Sequence, residues 1–384
     1  MHNSLKLSLL SLAVAAGAAY ADVAPYGVKG QVIQRLQAFD NPEGAIFSAD
    51  GKSVFISSSA ELGMPDKGFH WTEKSGYISK LEVQPDGTLK MLKDKFITGL
   101  TGPLGMGVLP VATQQFPAGT IFLCTAAAPI ATADGTAIKN ASRMDAKLVA
   151  FSEEGKVLGE IKMGAGSATA KLSGAPATLP NALGFDKAGN LYVADTGIGG
   201  GSFDPAVATK PGVFMISHGA IDELAASKTP TQPVAFIGIP GGPDGLEVDA
   251  GGNIHTNTVG AVAGLDDTAQ GGMYKLTQAD FAAGKLPEPF AKDMGALDGL
   301  DFAGKVRLDT EIKTTNSVTV TGADGKPARL VLDPDTKLAG PADIAVRKQS
   351  DGSYLLIIPE LTATGPNNGK DIVTVVKLPA NFGG

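Results

Sequence analysis

Three carboxylates and one amide stand at the same position of a repeated sequence pattern, and together they could bind a divalent cation. The pattern is a short apolar strand, a turn with Gly or Asn, and a second apolar strand; its clearest copies begin near residues 179 and 242. When six copies are aligned on the residue before the Gly or its equivalent, this position reads Glu43, Leu104, Asn181, Asp244, Asp298 and Ala342.

Equivalent positions of repeats that surround an axis are related by rotation about it, so the four oxygen-bearing side chains are expected to meet if this position points at the channel. Three like charges in one cavity raise one another's pKa and destabilise the fold unless a cation lies among them. Hard oxygen donors without His or Cys favour one Ca²⁺, with Mg²⁺, Mn²⁺ or Zn²⁺ as substitutes. Asp and Asn are also turn residues, so each position alone could simply begin a strand. Glu43, a poor turn residue, favours the shared cation.

The repeats themselves predict the fold. Each copy predicts a hairpin of two short strands, and further strands between the copies supply the outer part of each sheet. Six copies at roughly the spacing of a propeller repeat predict an all-β protein, a six-bladed β-propeller. The copies span 42–57, 103–124, 179–197, 242–255, 297–308 and 341–358.

Segments outside the repeats have separate expected roles. The strand-like segment 31–36 is expected to complete the last blade and so remove an open sheet edge. Thr277 is expected to cap a short helix at 277–283. The stretches 126–140, 164–178, 197–212 and 259–270 are too rich in Gly or Ala for strands and are expected to be loops, several of them around one mouth of the channel.

The first 21 residues have the features of a secretory signal peptide. Lys6 gives a positive start, an apolar run covers 7–19, and Ala19-Tyr20-Ala21 is a small-x-small cleavage site. The run is too short for a membrane span. We therefore expect cleavage after Ala21, one propeller domain over 22–384, and a periplasmic or secreted location.

Charge and cysteine content limit the partners. The net charge is −7 and basic residues form no run, which makes nucleic acid or an anionic membrane surface an improbable partner. Cys124 is the only cysteine, so no disulfide partner exists within the chain. A small-molecule substrate is the expected partner.

Four stretches carry a resemblance to a known family: 42–44, 179–186, 242–249 and 297–302. They resemble the gluconolactonase and senescence-marker-protein-30-like family of six-bladed propellers, related to diisopropyl-fluorophosphatase and the paraoxonases. The resemblance spans nearly all of the chain after residue 21. It implies an axial divalent metal held by Glu43, Asn181, Asp244 and Asp298, with no ligand from the second and sixth blades. Asp244 stands where the family usually has Asn.

The resemblance implies metal-assisted hydrolysis of a sugar lactone or similar small cyclic ester. The ligating carboxylates Asp244 and Asp298 are the catalytic candidates, and the resemblance favours Asp298 as the base or nucleophile. One alternative is aryl-ester or phosphotriester hydrolysis on the same scaffold. Another is a non-catalytic propeller that binds a ligand or protein and keeps the ion for structure.

Four further residues are candidates for contact with substrate. His255 and Asn257 are expected on one face of the second strand of the fourth repeat, near the metal ligands. The alternative for His255 is an ordinary packed or hydrogen-bonded histidine. His70 and Trp71 lie in the predicted loop 61–74, which either covers the pocket or is simply anchored by this Trp.

Overall fold

A computed structural model describes residues 23–60, 62–63, 70–126, 130–131, 138–139, 146–174, 176–197, 210–260, 271–362 and 370–383. The predicted signal peptide lies outside these ranges. The helices within them are at most eight residues long, and none of them is long and apolar enough to cross a membrane.

Strands dominate the described chain. The first half contains β1 (Pro25–Phe39), β2 (Pro42–Phe47), β3 (Ser53–Ser58), β4 (Leu62–Gly63), β5 (His70–Thr72), β6 (Gly76–Val83), β7 (Leu89–Leu100), β8 (Pro103–Val108), β9 (Ile121–Thr125), β10 (Ile130–Ala131), β11 (Ile138–Lys139), β12 (Lys147–Phe151), β13 (Val157–Lys162), α1 (Ala168–Ser173), β14 (Pro180–Phe185) and β15 (Leu191–Asp195).

The second half contains β16 (Gly212–Ile216), α2 (His218–Ala225), β17 (Val234–Gly238), β18 (Pro243–Val248), β19 (Ile254–Thr258), β20 (Met273–Leu276), α3 (Gln278–Ala283), β21 (Leu297–Ala303), β22 (Val306–Glu311), β23 (Ser317–Thr321), β24 (Pro327–Asp333), β25 (Ala345–Lys348), β26 (Tyr354–Glu360) and β27 (Asp371–Leu378).

Every predicted repeat is an antiparallel hairpin in the structure. The hairpins are β2–β3, β8–β9, β14–β15, β18–β19, β21–β22 and β25–β26. Outer strands extend them into the sheets β2-β3-β6-β7, β8-β9-β12-β13, β14-β15-β16-β17 and β18-β19-β20, and into one sheet of eight strands. The prediction of hairpins is therefore confirmed even for the degenerate second repeat.

The sheets form an all-β, propeller-like ring. The first strands of the hairpins contact one another in cyclic order: β2 with β8, β8 with β14, β14 with β18, β18 with β21, β21 with β25, and β25 with β2. Apolar side chains fill the spaces between neighbouring sheets. Phe55 of the first sheet, for example, meets Phe151 of the next at 6.0 Å between ring centroids, edge to face.

The eight-stranded sheet closes the ring through β1. Its order is β21-β22-β23-β24-β1-β27-β26-β25, in which β1 pairs parallel with β24 and antiparallel with β27. Arg35 of β1 donates to both carboxylate oxygens of Glu360 at 3.0 Å, and Thr374 of β27 donates to the same carboxylate. The prediction that residues 31–36 complete the last part of the sheet is confirmed.

A β-bulge recurs near the start of the inner strands. In β18 the pairing jumps from Pro243↔Thr258 to Leu246↔Thr256, so one extra residue stands on the inner strand. Equivalent shifts occur in β2, β8, β14 and β21. Bulges bend a strand and redirect a side chain, and here they fall on the aligned positions that carry the predicted ligands.

Two of the four predicted loops contain regular structure. The stretch 126–140 includes β10 and β11, which join β4 and β5 in a small sheet of very short strands. The stretch 164–178 includes α1, which Ser167 caps by accepting from the backbone N–H of Ala170. Propensity missed both because tertiary contacts decide such short elements. The stretches 198–209 and 261–270 lie outside the described residues. The predicted Thr277 cap of α3 is confirmed.

Candidate functional site

The structure brings the four predicted ligands to one cavity on the axis of the ring. Glu43, Asn181, Asp244 and Asp298 all line a cavity of about 10 Å³, the room that a single water molecule occupies. Each comes from the bulged start of a different inner strand, so four separate strands supply the oxygen donors. The apolar members of the same position, Leu104 and Ala342, are buried in the hydrophobic core.

Glycines beside the ligands allow the inner strands to approach this closely. A Cβ atom on Gly245 would collide with the backbone oxygen of Asp298, and one on Gly299 would collide with the backbone of Asp343. Because any side chain at these two positions would push neighbouring strands apart, the Asp-Gly pairs set the diameter of the cavity.

The cavity side chains hydrogen-bond one another. Asn181 Nδ2 donates to Asp244 Oδ1, and the carboxyls of Asp244 and Asp298 share a further hydrogen bond. Burial raises the pKa of Glu43, Asp244 and Asp298 well above that of a free carboxyl. The nearby charges of other carboxyls raise these pKa values further, so the three groups resist simultaneous ionisation.

Asp343 is a fourth carboxyl in this cavity, and the sequence alignment missed it. It occupies the position at which other repeats have Gly or Ala, one residue after the aligned ligand position. Its Oδ2 accepts the backbone N–H of Ala45 at 2.8 Å, which ties the sixth hairpin to the first. Burial raises its pKa to about 6, although the hydrogen bonds from Ala45 and Ile344 oppose the shift. The sequence signal that could have found it is an Asp at an aligned position where the other repeats have only small residues.

A second cavity of about 30 Å³ adjoins the first and is also acidic. Glu247, Asp301 and Asp343 line it. Glu247 and Asp301 each stand three positions after the aligned ligand of the fourth and fifth repeats. Asp301 Oδ2 accepts the backbone N–H of Val346 at 2.5 Å. Burial raises the pKa of Glu247 to about 7 and that of Asp301 well above its usual value.

The donor set suits a hard divalent cation. Glu43, Asp244, Asp298 and Asp343 are hereafter the hub carboxyls; no Lys or Arg is among the residues described around their cavity. Without a cation, such buried carboxyls must stay largely protonated, because their mutual repulsion has no counter-charge. No group of three or more His, Cys, Asp or Glu in the described chain is arranged as a ready-made metal centre. Asp244 and Asp298 are instead hydrogen-bonded to each other. The chemistry and charge of the donors fit the cation.

His255 and Asn257 lie on one face of β19, as predicted, but they contact β21 and β22 and line neither cavity. His255 Nε2 lies 3.1 Å from Asp249 Oδ2, and its ring meets Phe302 edge to face. Burial, together with the charge of Arg307, lowers the pKa of His255 to about 4. His255 therefore has the contacts of a packed, neutral histidine.

Trp71 lies in the core, and His70 lies beside it in β5. Trp71 is 3% exposed and belongs to the apolar cluster that includes Leu104 and Ala126. The indole packs against Gly102. The side chain of His70 lies outside the described residues, as do residues 61 and 64–69 of the loop predicted to cover the pocket.

The comparisons with known proteins bear on the fold. No family model and no curated protein matches the chain. Among solved structures it is similar to a gluconolactonase from Xanthomonas campestris (TM-score 0.51, 12% identity, 93% of this chain and 97% of that chain). It is also similar to the PQQ-bound aldose sugar dehydrogenase from Streptomyces coelicolor (0.56, 12%, 93% and 100%) and to a glucose dehydrogenase (0.51, 12%, 92% and 100%). These three neighbours are a gluconolactonase and two sugar dehydrogenases, and at these identities they show a shared fold.

Proposed function

We propose that this chain is an exported, metal-dependent hydrolase of a sugar lactone or a similar small cyclic ester. The observation that carries the proposal is the axial cavity, where oxygen donors of four different inner strands converge without a basic side chain among the described lining residues. The gluconolactonase among the structural neighbours adds support through the scaffold.

The proposal takes the ring as six-bladed. The eight-stranded sheet divides at the β24–β1 pairing into two halves of four strands, β21 to β24 and β25 to β27 with β1. Together with the four other sheets of the ring, these halves give six blades around the axis. The cyclic contacts of the inner strands support this division.

Glu43, Asn181, Asp244 and Asp298 would hold the cation, with Ca²⁺ preferred for oxygen donors. A bound cation supplies Lewis-acid polarisation of the ester carbonyl and stabilises the developing negative charge. Asn181 would turn its amide so that Oδ1, rather than Nδ2, faces the cavity. Asp244 would share the cation with Asp298 and so hold the two carboxylates in contact.

Asp298 is the proposed base or nucleophile. Its carboxyl faces the cavity and lies in contact with the carboxyl of Asp244. In its ionised form, an oxygen of Asp298 would accept the proton of an attacking water or attack the ester carbon directly. The resemblance to the gluconolactonase family favours Asp298 for this role.

One observation favours a second candidate, a non-catalytic propeller with a structural ion. The axial cavity of about 10 Å³ admits an ion or a water but no sugar. Binding of a ligand or protein elsewhere on the ring would then be the function, and the ion would stabilise the hub.

Metal analysis and hydrolysis assays separate these candidates. The purified chain, lacking residues 1–21, is analysed for bound metal and assayed on lactones, aryl esters and phosphotriesters, before and after chelation. We expect lactone hydrolysis that chelation abolishes and Ca²⁺ restores. Metal-dependent melting without hydrolysis of any substrate would establish the structural-ion candidate, and hydrolysis that survives complete removal of metal would overturn the proposed mechanism.

A further inference from the structure

We propose that Asn257 is a positioning residue that sets the spacing of Asp244 and Asp298 in the axial cavity, while Arg307 and Asp309 fix the orientation of its amide. The inference deepens the proposed function and rests on the cation site proposed there. Neither the repeat alignment nor the family resemblance assigns this role to Asn257.

The contacts of Asn257 reach both ligand-bearing strands. Its side chain is fully buried, and its Oδ1 accepts the backbone N–H of Gly245 at 2.9 Å. Its Nδ2 approaches the backbone oxygen of Gly299 at 3.4 Å. Gly245 directly follows Asp244, and Gly299 directly follows Asp298. One amide therefore connects the backbone beside one carboxyl to the backbone beside the other.

This connection falls where the regular strand pairing is interrupted. The bulges of β18 and β21 shift the register between Pro243 and Leu246 and between Leu297 and Leu300. Regular ladder hydrogen bonds therefore do not fix the backbone of the residues that carry the two carboxyls. A side chain from the adjacent strand takes their place.

The orientation of the amide follows from its other partner. Asn257 Nδ2 donates to Asp309 Oδ1 at 2.9 Å, and an ionised carboxylate only accepts hydrogen bonds. Arg307 holds the carboxylate of Asp309 in place, because Nε and Nη2 donate to its two oxygens at 2.8 and 2.6 Å. The amide nitrogen must therefore face Asp309, which leaves Oδ1 for Gly245.

The first repeat uses the same device with a different residue. Ser57 stands at the equivalent position, where its Oγ accepts the backbone N–H of Gly44 at 2.7 Å and donates to the backbone oxygen of Leu104 at 2.8 Å. Gly44 follows Glu43. Ser57 connects two neighbouring inner strands beside a ligand, as Asn257 does. Its hydroxyl needs no charged pair to orient it.

Replacing Asn257 can distinguish a positioning role from an electrostatic one, because no net charge changes near the cavity. Arg307 and Asp309 are 3% and 0% exposed and neutralise each other. Asn257 is neutral, so replacing it changes no charge near the cavity. A change in cation affinity on replacement of Asn257 therefore reports the position of the carboxyls.

The test measures Ca²⁺ affinity by calorimetry on the full chain lacking residues 1–21. We expect Asn257→Ala to weaken Ca²⁺ binding about 10- to 100-fold, the usual effect of losing a partner that orients metal ligands. Asn257→Ser, which keeps an acceptor for Gly245 but loses the bond to Asp309, should weaken it less. It also serves as the milder variant if the Ala variant does not fold.

Asn190→Ala is the matched control. Asn190 makes the same two kinds of bond, accepting the backbone N–H of His218 at 3.0 Å and donating to Asp186 at 2.8 Å, but away from both cavities. It should lower the melting temperature and leave Ca²⁺ affinity unchanged. Equal Ca²⁺ affinities for wild type and both Asn257 variants would overturn the inference and leave the proposed function standing.

Crystal structures of wild type and variant without added metal give a second readout that does not depend on binding. Displaced Asp244 and Asp298 carboxyls in the Asn257 variant support the inference, and unchanged positions overturn it. If the wild-type chain binds no divalent cation, the proposed function fails, and these structures still decide the role of Asn257.

Discussion

Two buried polar clusters lie side by side in this ring, and they handle charge in opposite ways. The hub carboxyls have no basic partner among the residues described around them. The neighbouring cluster, the Arg307 network, comprises Arg307, Asp309, Asn257, His255 and Asp249, and its members are joined by hydrogen bonds and by the Arg307–Asp309 ion pair.

The contrast shows which cluster is complete without a ligand. The Arg307 network satisfies its charges within the protein, as buried ion pairs must. The charge of the hub carboxyls is instead removed by protonation, which their raised pKa values allow, or balanced by a cation. We therefore expect changes at the hub to affect function more than stability, and changes in the network to affect stability first.

The largest expected effect is on activity at the hub. Asp298→Asn keeps the shape of the side chain but removes the base or nucleophile, so kcat should fall about 10²- to 10⁴-fold. The melting temperature without metal should not fall, because a repelling carboxyl is replaced by a neutral amide. Lactone hydrolysis and thermal unfolding of the same preparation measure the two effects. Full activity of Asp298→Asn would remove this catalytic assignment.

The next largest effect is on stability in the Arg307 network. Arg307→Met leaves the buried Asp309 carboxylate without its ion pair, which should lower the free energy of unfolding by about 3–5 kcal/mol. Chemical denaturation measures it. The double variant Arg307→Met/Asp309→Leu is the control and should recover part of the loss, since no charge is then left unpaired. If the single variant lowers the free energy of unfolding by less than about 1 kcal/mol, the proposed difference between the two clusters is wrong.

A pH dependence follows from His255. Its folded pKa of about 4 lies below the usual 6.5, first because of burial and then because of Arg307 and Lys275, while Asp249 opposes the shift. The unfolded chain therefore binds this proton first as the pH falls. The contribution to stability is complete above about pH 6.5 and is lost towards about pH 4, by roughly 3 kcal/mol. Across this pH range, the denaturant midpoint should change less in His255→Gln than in the wild type. Equal changes in the two proteins would contradict the assignment.

The smallest expected effect is on stability, at a helix cap that lies outside both clusters. Thr277 and Asp280 form a capping box at the start of α3, with the backbone N–H of Thr277 donating to Asp280 at 2.7 Å. Thr277→Ala should cost about 1 kcal/mol of unfolding free energy. It should leave Ca²⁺ affinity unaltered. If it weakens Ca²⁺ binding as much as a hub variant does, affinity reports global stability instead of the site.

The sequence predicted the repeating architecture well, for physical reasons. Alternating apolar runs separated by Gly and Asn turns are a local signal, and each repeat carries it. The same holds for the capped helix α3. The convergence of Glu43, Asn181, Asp244 and Asp298 followed from repeat symmetry, because equivalent positions are related by rotation about the axis and all face it when one of them does.

What the sequence did not indicate depends on the bulges and on contacts between repeats. An extra residue in each inner strand breaks the two-residue alternation, so the pattern cannot say which side chain faces the axis. Asp343 and the second acidic cavity were missed for this reason. The pairing of Arg307 with Asp309 and Asn257 joins two sheets and leaves no local sequence signal.

The placement of β1 has a consequence for how the ring assembles. This strand is the earliest described one to be synthesised, yet its partners are β24 and β27, some of the last. Contacts between such distant parts of a chain slow folding and leave strand edges exposed to aggregation. A nascent chain therefore carries β1 without either partner until residues 327–333 have emerged, and with one edge open until residues 371–378 follow. A holding chaperone would be most useful during that interval.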